Sequence, residues 1–149
     1  MRAVLCGANG AMGKLIDGQL PQEVAGRVSL DGENGVARTF AQLGPVEADV
    51  VMDFSHHSAI SDVLAYAKGI GAAAVIGTTG HTEAEKAEIL AASQEIPVFY
   101  SGNMSLGIAV LCRLAQQAAA AFPDADIEIV EVHHNRKVDA HSGTARMLF

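Results

Sequence analysis

Two stretches of this 149-residue chain hold residue types that do chemistry. The first is Gly7-Ala8-Asn9-Gly10-Ala11-Met12-Gly13, a GxxGxxG run that follows the apolar RAVLC and opens a helical pattern. A turn this tight needs glycine where φ is positive or where backbone must approach a ligand. The N–H groups that begin the helix then face a phosphate unpaired. Asp31, at the end of the next strand-like run, is of the right type to accept from the hydroxyls of an adenosine ribose, which favours NAD over NADP because it would repel a 2′-phosphate. Lys14, Arg27 and Arg38 are near enough to meet a 2′-phosphate, so NADH and NADPH both stay open. The second stretch is His133-His134-Asn135-Arg136-Lys137, followed by Asp139, His141 and Ser142-Gly143-Thr144. Its positive charge suits a small dianionic substrate, and the helix begun at Ser142 offers N–H groups to a carboxylate.

Plainer readings stand beside these. A glycine-rich β-to-α turn needs no ligand, and Asp31 serves equally as a solvated turn carboxylate. The residues from His133 onward also read as a basic loop stabilised by Glu131 and Asp139. Zinc held by His133, His134 and His141 is disfavoured, since two of the three are adjacent and no cysteine joins them, so no metal is expected. His56 and His57 read as a solvated pair opening a helix, and His81 likewise as solvated.

Short β-branched runs alternate with longer helical patterns, the signature of βαβ units. Strands are expected near Arg2 to Cys6, Val28 to Asp31, Ala48 to Phe54, Ala72 to Ile76, Pro97 to Tyr100 and Asp126 to His133. Helices are expected near Gly10 to Leu20, Ser58 to Lys68, Thr82 to Gln94 and Ser105 to Phe122. Thr82 with Glu85 makes a capping box, and Ser105 caps the helix after it. Residues 32–45 show no firm period and read as loop with at most one short strand or turn. The predicted fold is α/β: a Rossmann-like doubly wound parallel sheet followed by the start of a C-terminal α+β substrate domain, divided as 1–104 and 105–149. In such a sheet the turns Asp53-Phe54-Ser55, Gly77-Thr78-Thr79-Gly80 and Ser101-Gly102-Asn103-Met104-Ser105 all lie along the edge that carries the glycine loop.

Ten basic against 17 acidic residues, net charge −7, leave no clustered Lys and Arg for a nucleic-acid footprint. No apolar run is long enough to span a bilayer and the N-terminus lacks signal-peptide architecture, so the expectation is a cytoplasmic protein. Cys6 and Cys112 fall in apolar elements and read as buried thiols.

GANGAMG, DFS, GTTG, the N-M-S-L-G turn and above all E-x-H-H-x-x-K-x-D-x-x-S-G-T-A resemble dihydrodipicolinate reductase, also called 4-hydroxy-tetrahydrodipicolinate reductase, from Arg2 to about Ala145. The resemblance implies hydride transfer from NADH or NADPH to a cyclic dicarboxylic acid in the diaminopimelate route to lysine. It implies that His133 and Lys137 are the catalytic pair, Lys137 donating the proton, and that His134, Gly143 and Thr144 hold the substrate carboxylates. Gly7, Ala8, Asn9, Gly10, Ala11, Met12, Asp31, Gly77, Thr78, Thr79, Ser101, Gly102, Asn103 and Met104 would line the cofactor site. The resemblance implies a homotetramer for the full-length family and leaves the oligomeric state of this chain open. Where it usually has proline, this chain has His141, which removes a fixed φ. The family also continues past the SGTA helix into further strands, whereas this sequence stops at Phe149. The expectation is therefore a C-terminally truncated member that keeps its cofactor site with turnover reduced or absent, the alternative being a dinucleotide-binding module without chemistry. A Rossmann reductase of an aldehyde or keto acid would leave the HHNRK and SGTA pair as coincidence.

Overall fold

Apolar residues alternating along short strands, interleaved with helices that each bury one stripe, have a stable layering as a parallel sheet between helices. The structure, a computed structural model, describes residues 1–133, 135 and 142–148. The chain forms two compact units, Met1–Ser101 and Gly102–Phe149.

The first unit contains β1 (Ala3–Cys6), β2 (Val24–Val28), β3 (Val50–Asp53), β4 (Ala73–Ile76) and β5 (Val98–Tyr100), with α1 (Ala11–Gln19), α2 (Phe40–Leu43), α3 (Ile60–Ile70) and α4 (Glu83–Ala92) between them. All neighbouring strands are parallel and their order is β2-β1-β3-β4-β5. Because side chains alternate across a strand, β1 serves two cores. Val4 and Cys6 join Ile60, Val63, Leu64 and Ile89 of α3 and α4, while Leu5 joins Val24 and Ile16 of α1. Leu5, Ile60 and Ile76 are fully buried, each contributing about 1.5–3 kcal/mol. Helix ends follow local chemistry. Gly71, at φ +69, closes α3 in the left-handed conformation, and Thr82 and Glu85 form the expected capping box on α4.

The strand order reverses about β1, and Cys6 pairs with both Val28 and Asp53, so β1, β2 and β3 end level. The crevice at such a reversal is where open α/β sheets take their ligands.

The second strand lies earlier than the β-branched pattern predicts. Register with β1 selects Val24–Val28, where Val24, Gly26 and Val28 face inward. The Leu43 methyls stand 2.9 and 3.2 Å from where a Gly26 Cβ would be, so glycine there is a packing choice rather than a break. Asp31 consequently sits in the turn beyond the strand. Residues 32–45 hold a short 3-10 helix (Glu33–Gly35), a parallel bridge from Ala37 to Val28, and α2.

The second unit contains α5 (Leu106–Ala121), capped by Ser105, and α6 (Gly143–Leu148), which packs on α5. The expected strand over residues 126–133 is absent. The described residues of this unit hold no second strand to form a ladder with it, and an extended segment gains nothing from its alternation alone. Ile127, Val130 and Val132 are accordingly exposed. Among the described residues no helix is long and apolar enough to cross a membrane.

Candidate functional site

Gly7 leaves β1 at φ +80, and its N–H and that of Ala8 both donate to the Val28 carbonyl, at 2.9 and 3.1 Å. A Cβ on Gly7 would collide with the Phe54 carbonyl beyond β3. One on Gly13 would collide with the Gly7 carbonyl and stand 2.7 Å from Ala8 Cα. These two glycines therefore bring β1, β3 and the start of α1 closer than side chains allow. Gly10 caps α1 with no side-chain hydrogen bond and the first turn holds no acidic residue. The opening N–H groups of α1, on exposed Ala11 and Met12, are thus left for an anion. A cradle that a Cβ would fill, ending in free helix donors, fits the pyrophosphate of a dinucleotide.

Beside it lies a cavity of about 290 Å³ lined by Gly7, Gly10, Ser29, Leu30, Arg38 and Ser55 among others. That is near the lower end for ligand pockets, a size for one half of a dinucleotide. The three cations expected near a 2′-phosphate are treated differently. The Arg27 guanidinium is forked onto the Asp17 carboxylate, which lowers the Asp17 pKa and raises that of Arg27. Lys14 does not line the cavity, and Arg38 does. Asp31 accepts from the Asn9 side-chain amide at 2.5 Å, a bond that holds its carboxyl below the usual range.

The turns after β3 and β4 are locked together. The Ser55 N–H donates to Thr78 Oγ1 at 2.9 Å, and the Ser55 hydroxyl to Asp53 Oδ1 at 2.5 Å. A Cβ on Gly77 would run into the Phe54 ring. Asp53 is wholly buried, and its Oδ2 has no hydrogen-bond partner among the described residues. Burial, reinforced by this carboxylate, pushes the Cys6 thiol up to about 12. Ser101 donates its N–H to the Ile76 carbonyl at 3.1 Å, beside the same turn.

His56 is exposed and its ring caps the 3-10 helix His57–Ala59 as expected, whereas His57 and His81 depart from the solvated reading. His57 is half-buried with Nδ1 2.9 Å from Glu85 Oε1. Donation from the Thr82 backbone, then this imidazole, brings Glu85 down to about 2. His81 is 5 % exposed, edge-on to the Tyr100 ring at 5.3 Å, and neither ring nitrogen has a hydrogen-bond partner among the described residues. Burial lowers its pKa, so the ring is neutral. No local signal announces this: Gly80, at φ +87, turns the chain, and the packing is tertiary.

In the second unit Asn103 and Thr144 come together, the Asn103 amide donating to the Thr144 hydroxyl at 2.7 Å. Asn103 Oδ1 accepts from Ser105 N at 2.9 Å. A Cβ on Gly143 would stand 2.8 Å from the Gly102 carbonyl. His133 Nδ1 lies 3.6 Å from Glu131 Oε2, and the same carboxylate accepts from the Ser142 N–H at 3.0 Å. Glu131 thus links His133 to the start of α6, a role legible only in that residues two apart on an extended chain share a side. His134, Arg136, Lys137, Asp139 and His141 lie outside the described residues. Among the described residues no group of three or more His, Cys, Asp or Glu is placed to hold a metal ion.

Two family profiles match the chain: dihydrodipicolinate reductase, N-terminus, over residues 1–104, and dihydrodipicolinate reductase, C-terminus, over residues 107–149. The chain belongs to the dihydrodipicolinate reductase family. It is 44% identical over 158 residues to the 4-hydroxy-tetrahydrodipicolinate reductase of Caldanaerobacter subterraneus subsp. tengcongensis, an alignment taking 99% of this chain and 61% of that protein. The reductase of Campylobacter jejuni subsp. jejuni is 42% identical over 144 residues, covering 95% of this chain and 57% of its own. The chain therefore spans about three-fifths of the length of these dihydrodipicolinate reductase relatives. A dipicolinate-bound dihydrodipicolinate reductase from Paenisporosarcina sp. TG-14 shares the fold, with a TM-score of 0.71 at 24% identity over 99% of this chain and 65% of that one.

Proposed function

We propose that this chain carries cofactor- and substrate-binding residues of a 4-hydroxy-tetrahydrodipicolinate reductase, which forms tetrahydrodipicolinate in the cytoplasm on the diaminopimelate route to lysine. The observation that carries the reading is the cradle at Gly7 and Gly13, where added side chains would collide with backbone at the mouth of α1. The backbone from Gly7 to Met12 holds the pyrophosphate of NADH or NADPH. Asp31, Gly77 to Thr79 and Ser101 to Met104 complete the contacts with it. When bound, the dihydronicotinamide supplies a hydride. His133 and Lys137 are the catalytic pair: Lys137 donates the proton that neutralises the charge left on the ring after hydride addition, and Glu131 orients His133. His134, Gly143 and Thr144 hold the two carboxylates. The dipicolinate bound to the Paenisporosarcina protein is, like the substrate proposed here, a cyclic dicarboxylate. The assembled enzyme is a homotetramer.

Oxidation of NADPH, followed by absorbance with freshly made dihydrodipicolinate synthase product, tests the reading. Lys137→Ala should lower kcat by about 100-fold or more, as expected for loss of a positioned acid, while cofactor Kd moves less than about twofold. Equal losses in kcat and in cofactor affinity would contradict the assignment.

A further inference from the structure

We propose that His81 is a proton-operated positioning residue for the turn from Gly77 to Gly80, tying affinity for the nicotinamide half of the dinucleotide to pH. The assignment rests on the dinucleotide reading above. The turn joins β4 to α4, and its exposed tip, Thr79 and Gly80, is carried between two buried side chains, Thr78 and His81. These anchors differ in kind. Thr78 is fixed by a hydrogen bond, its Oγ1 accepting from the Ser55 N–H at 2.9 Å. His81 is held by packing: its ring stands edge-on to Tyr100 with centroids 5.3 Å apart, and neither nitrogen has a hydrogen-bond partner among the described residues. Gly80, at φ +87, turns the chain between the exposed tip and the buried ring. Just beyond, the Thr82 N–H donates to Glu85 Oε2 at 2.6 Å, so α4 starts from a fixed point. The imidazole is thus the one anchor of the tip that a proton can remove.

Protonation would give the ring a charge and a second N–H donor with no acceptor in place, which burial penalises. The titratable and charged groups that face it are Glu85 and Lys86 of α4, Asp53 and His57 beside β3, and Tyr100 of β5. Burial acts most strongly and favours the neutral ring; the Glu85 and Asp53 carboxylates oppose it, while His57 and Lys86 reinforce it. Neither carboxylate hydrogen-bonds the ring. Asp53 Oδ1 accepts from the Ser55 hydroxyl, and Glu85 accepts from Thr82 and faces His57 Nδ1 at 2.9 Å. A protonated ring therefore leaves its place, and the tip loses one of its two anchors. A dinucleotide whose pyrophosphate lies on the glycine turn has its adenosine towards β2 and its other half towards β3 and β4. Proton and nicotinamide thus compete through this turn, and by reciprocity a ligand that needs the anchored tip expels the proton.

The test is titration calorimetry of the chain with NADH and with ADP-ribose, which lacks the nicotinamide, between about pH 7.5 and pH 5. NADH affinity should be flat above about pH 6.5, the value of a free imidazole. Below it, affinity should weaken by about threefold or more by pH 5, with a limit of about tenfold per pH unit for one proton. ADP-ribose should change by less than about twofold. Repeating the NADH titration near pH 5 in buffers of different ionisation heat should show proton release of up to about one per site, which a merely structural role would not produce. In His81→Phe, which keeps a ring against Tyr100, the NADH affinities at pH 7.5 and pH 5 should agree within about twofold and the proton release should vanish. The native-chain comparison of the two ligands holds even if that variant fails to fold. Constant NADH affinity down to pH 5, equal weakening of both ligands, or acid weakening that survives in His81→Phe would each overturn the proposal. If neither ligand binds at pH 7.5, the dinucleotide reading itself falls, and this proposal with it.

Discussion

Gly13→Ala puts one methyl group where the fold has no room for it. The new Cβ would stand 2.7 Å from both Cα and the carbonyl oxygen of Ala8 and would overlap the Gly7 carbonyl. All three are backbone atoms, so no side chain can rotate away and α1 must move off β1. Overpacking of this kind costs about 1–3 kcal/mol. Replacing a helical glycine by alanine returns about 0.5–1 kcal/mol, which leaves a net loss centred on about 1 kcal/mol and reaching at most about 2.5 kcal/mol. For a unit of this size a loss of about 1 kcal/mol lowers Tm by about 4–8 °C. Gly18 lies in the same helix with nothing within 4 Å of its would-be Cβ, so Gly18→Ala should keep the propensity gain alone and raise stability by about 0.5–1 kcal/mol. The chain has no tryptophan, and both its tyrosines, Tyr66 and Tyr100, belong to the first unit. Near-UV circular dichroism during heating therefore reports on the unit that carries the change. A Gly13→Ala chain melting at or above the native temperature would refute the argument that close backbone approach dictates this glycine.

Three further outcomes follow from the site. His81 is neutral in the fold with a lowered pKa, whereas the unfolded chain takes a proton near pH 6.5. Stability should therefore fall as pH drops from about 6.5 towards the folded pKa, and His81→Phe, which keeps an aromatic ring against Tyr100, should flatten the pH dependence of the urea midpoint; an unchanged slope would contradict the buried-neutral reading. Thr82→Ala removes the side-chain acceptor for the Glu85 N–H and should cost about 1 kcal/mol at neutral pH, seen as a lower urea midpoint. Cys6, with its thiol held at about 12 and buried, should resist iodoacetamide at pH 8 in the native chain and react once the chain is unfolded, as mass mapping of the carboxamidomethyl group would show.

Features with local causes were legible beforehand: the glycine turn, the Thr82 and Ser105 caps, and the apolar runs of β1, β3, β4 and β5. Each depends on residues within a few positions. What the pattern missed depends on partners far away in sequence. β2 is set by register against β1, which accepts Gly26 and Arg27 despite their poor strand character. The segment 126–133 alternates like a strand, yet an alternating pattern cannot supply the second strand. His81 is buried by β5 and the turn at Gly80, and the contrast between Arg27 and Arg38 exists only because Asp17 faces one and not the other.

The central claim, a dinucleotide seated on the turn from Gly7 to Gly13, is tested most directly by titrating the 15N-labelled chain with NADPH and following backbone amide resonances. The account predicts saturable shifts with one common Kd for the amides of Gly7 to Gly13, together with Ser29 to Arg38 and Gly77 to Thr79. Shifts confined to other surfaces, or none that saturate, would contradict it.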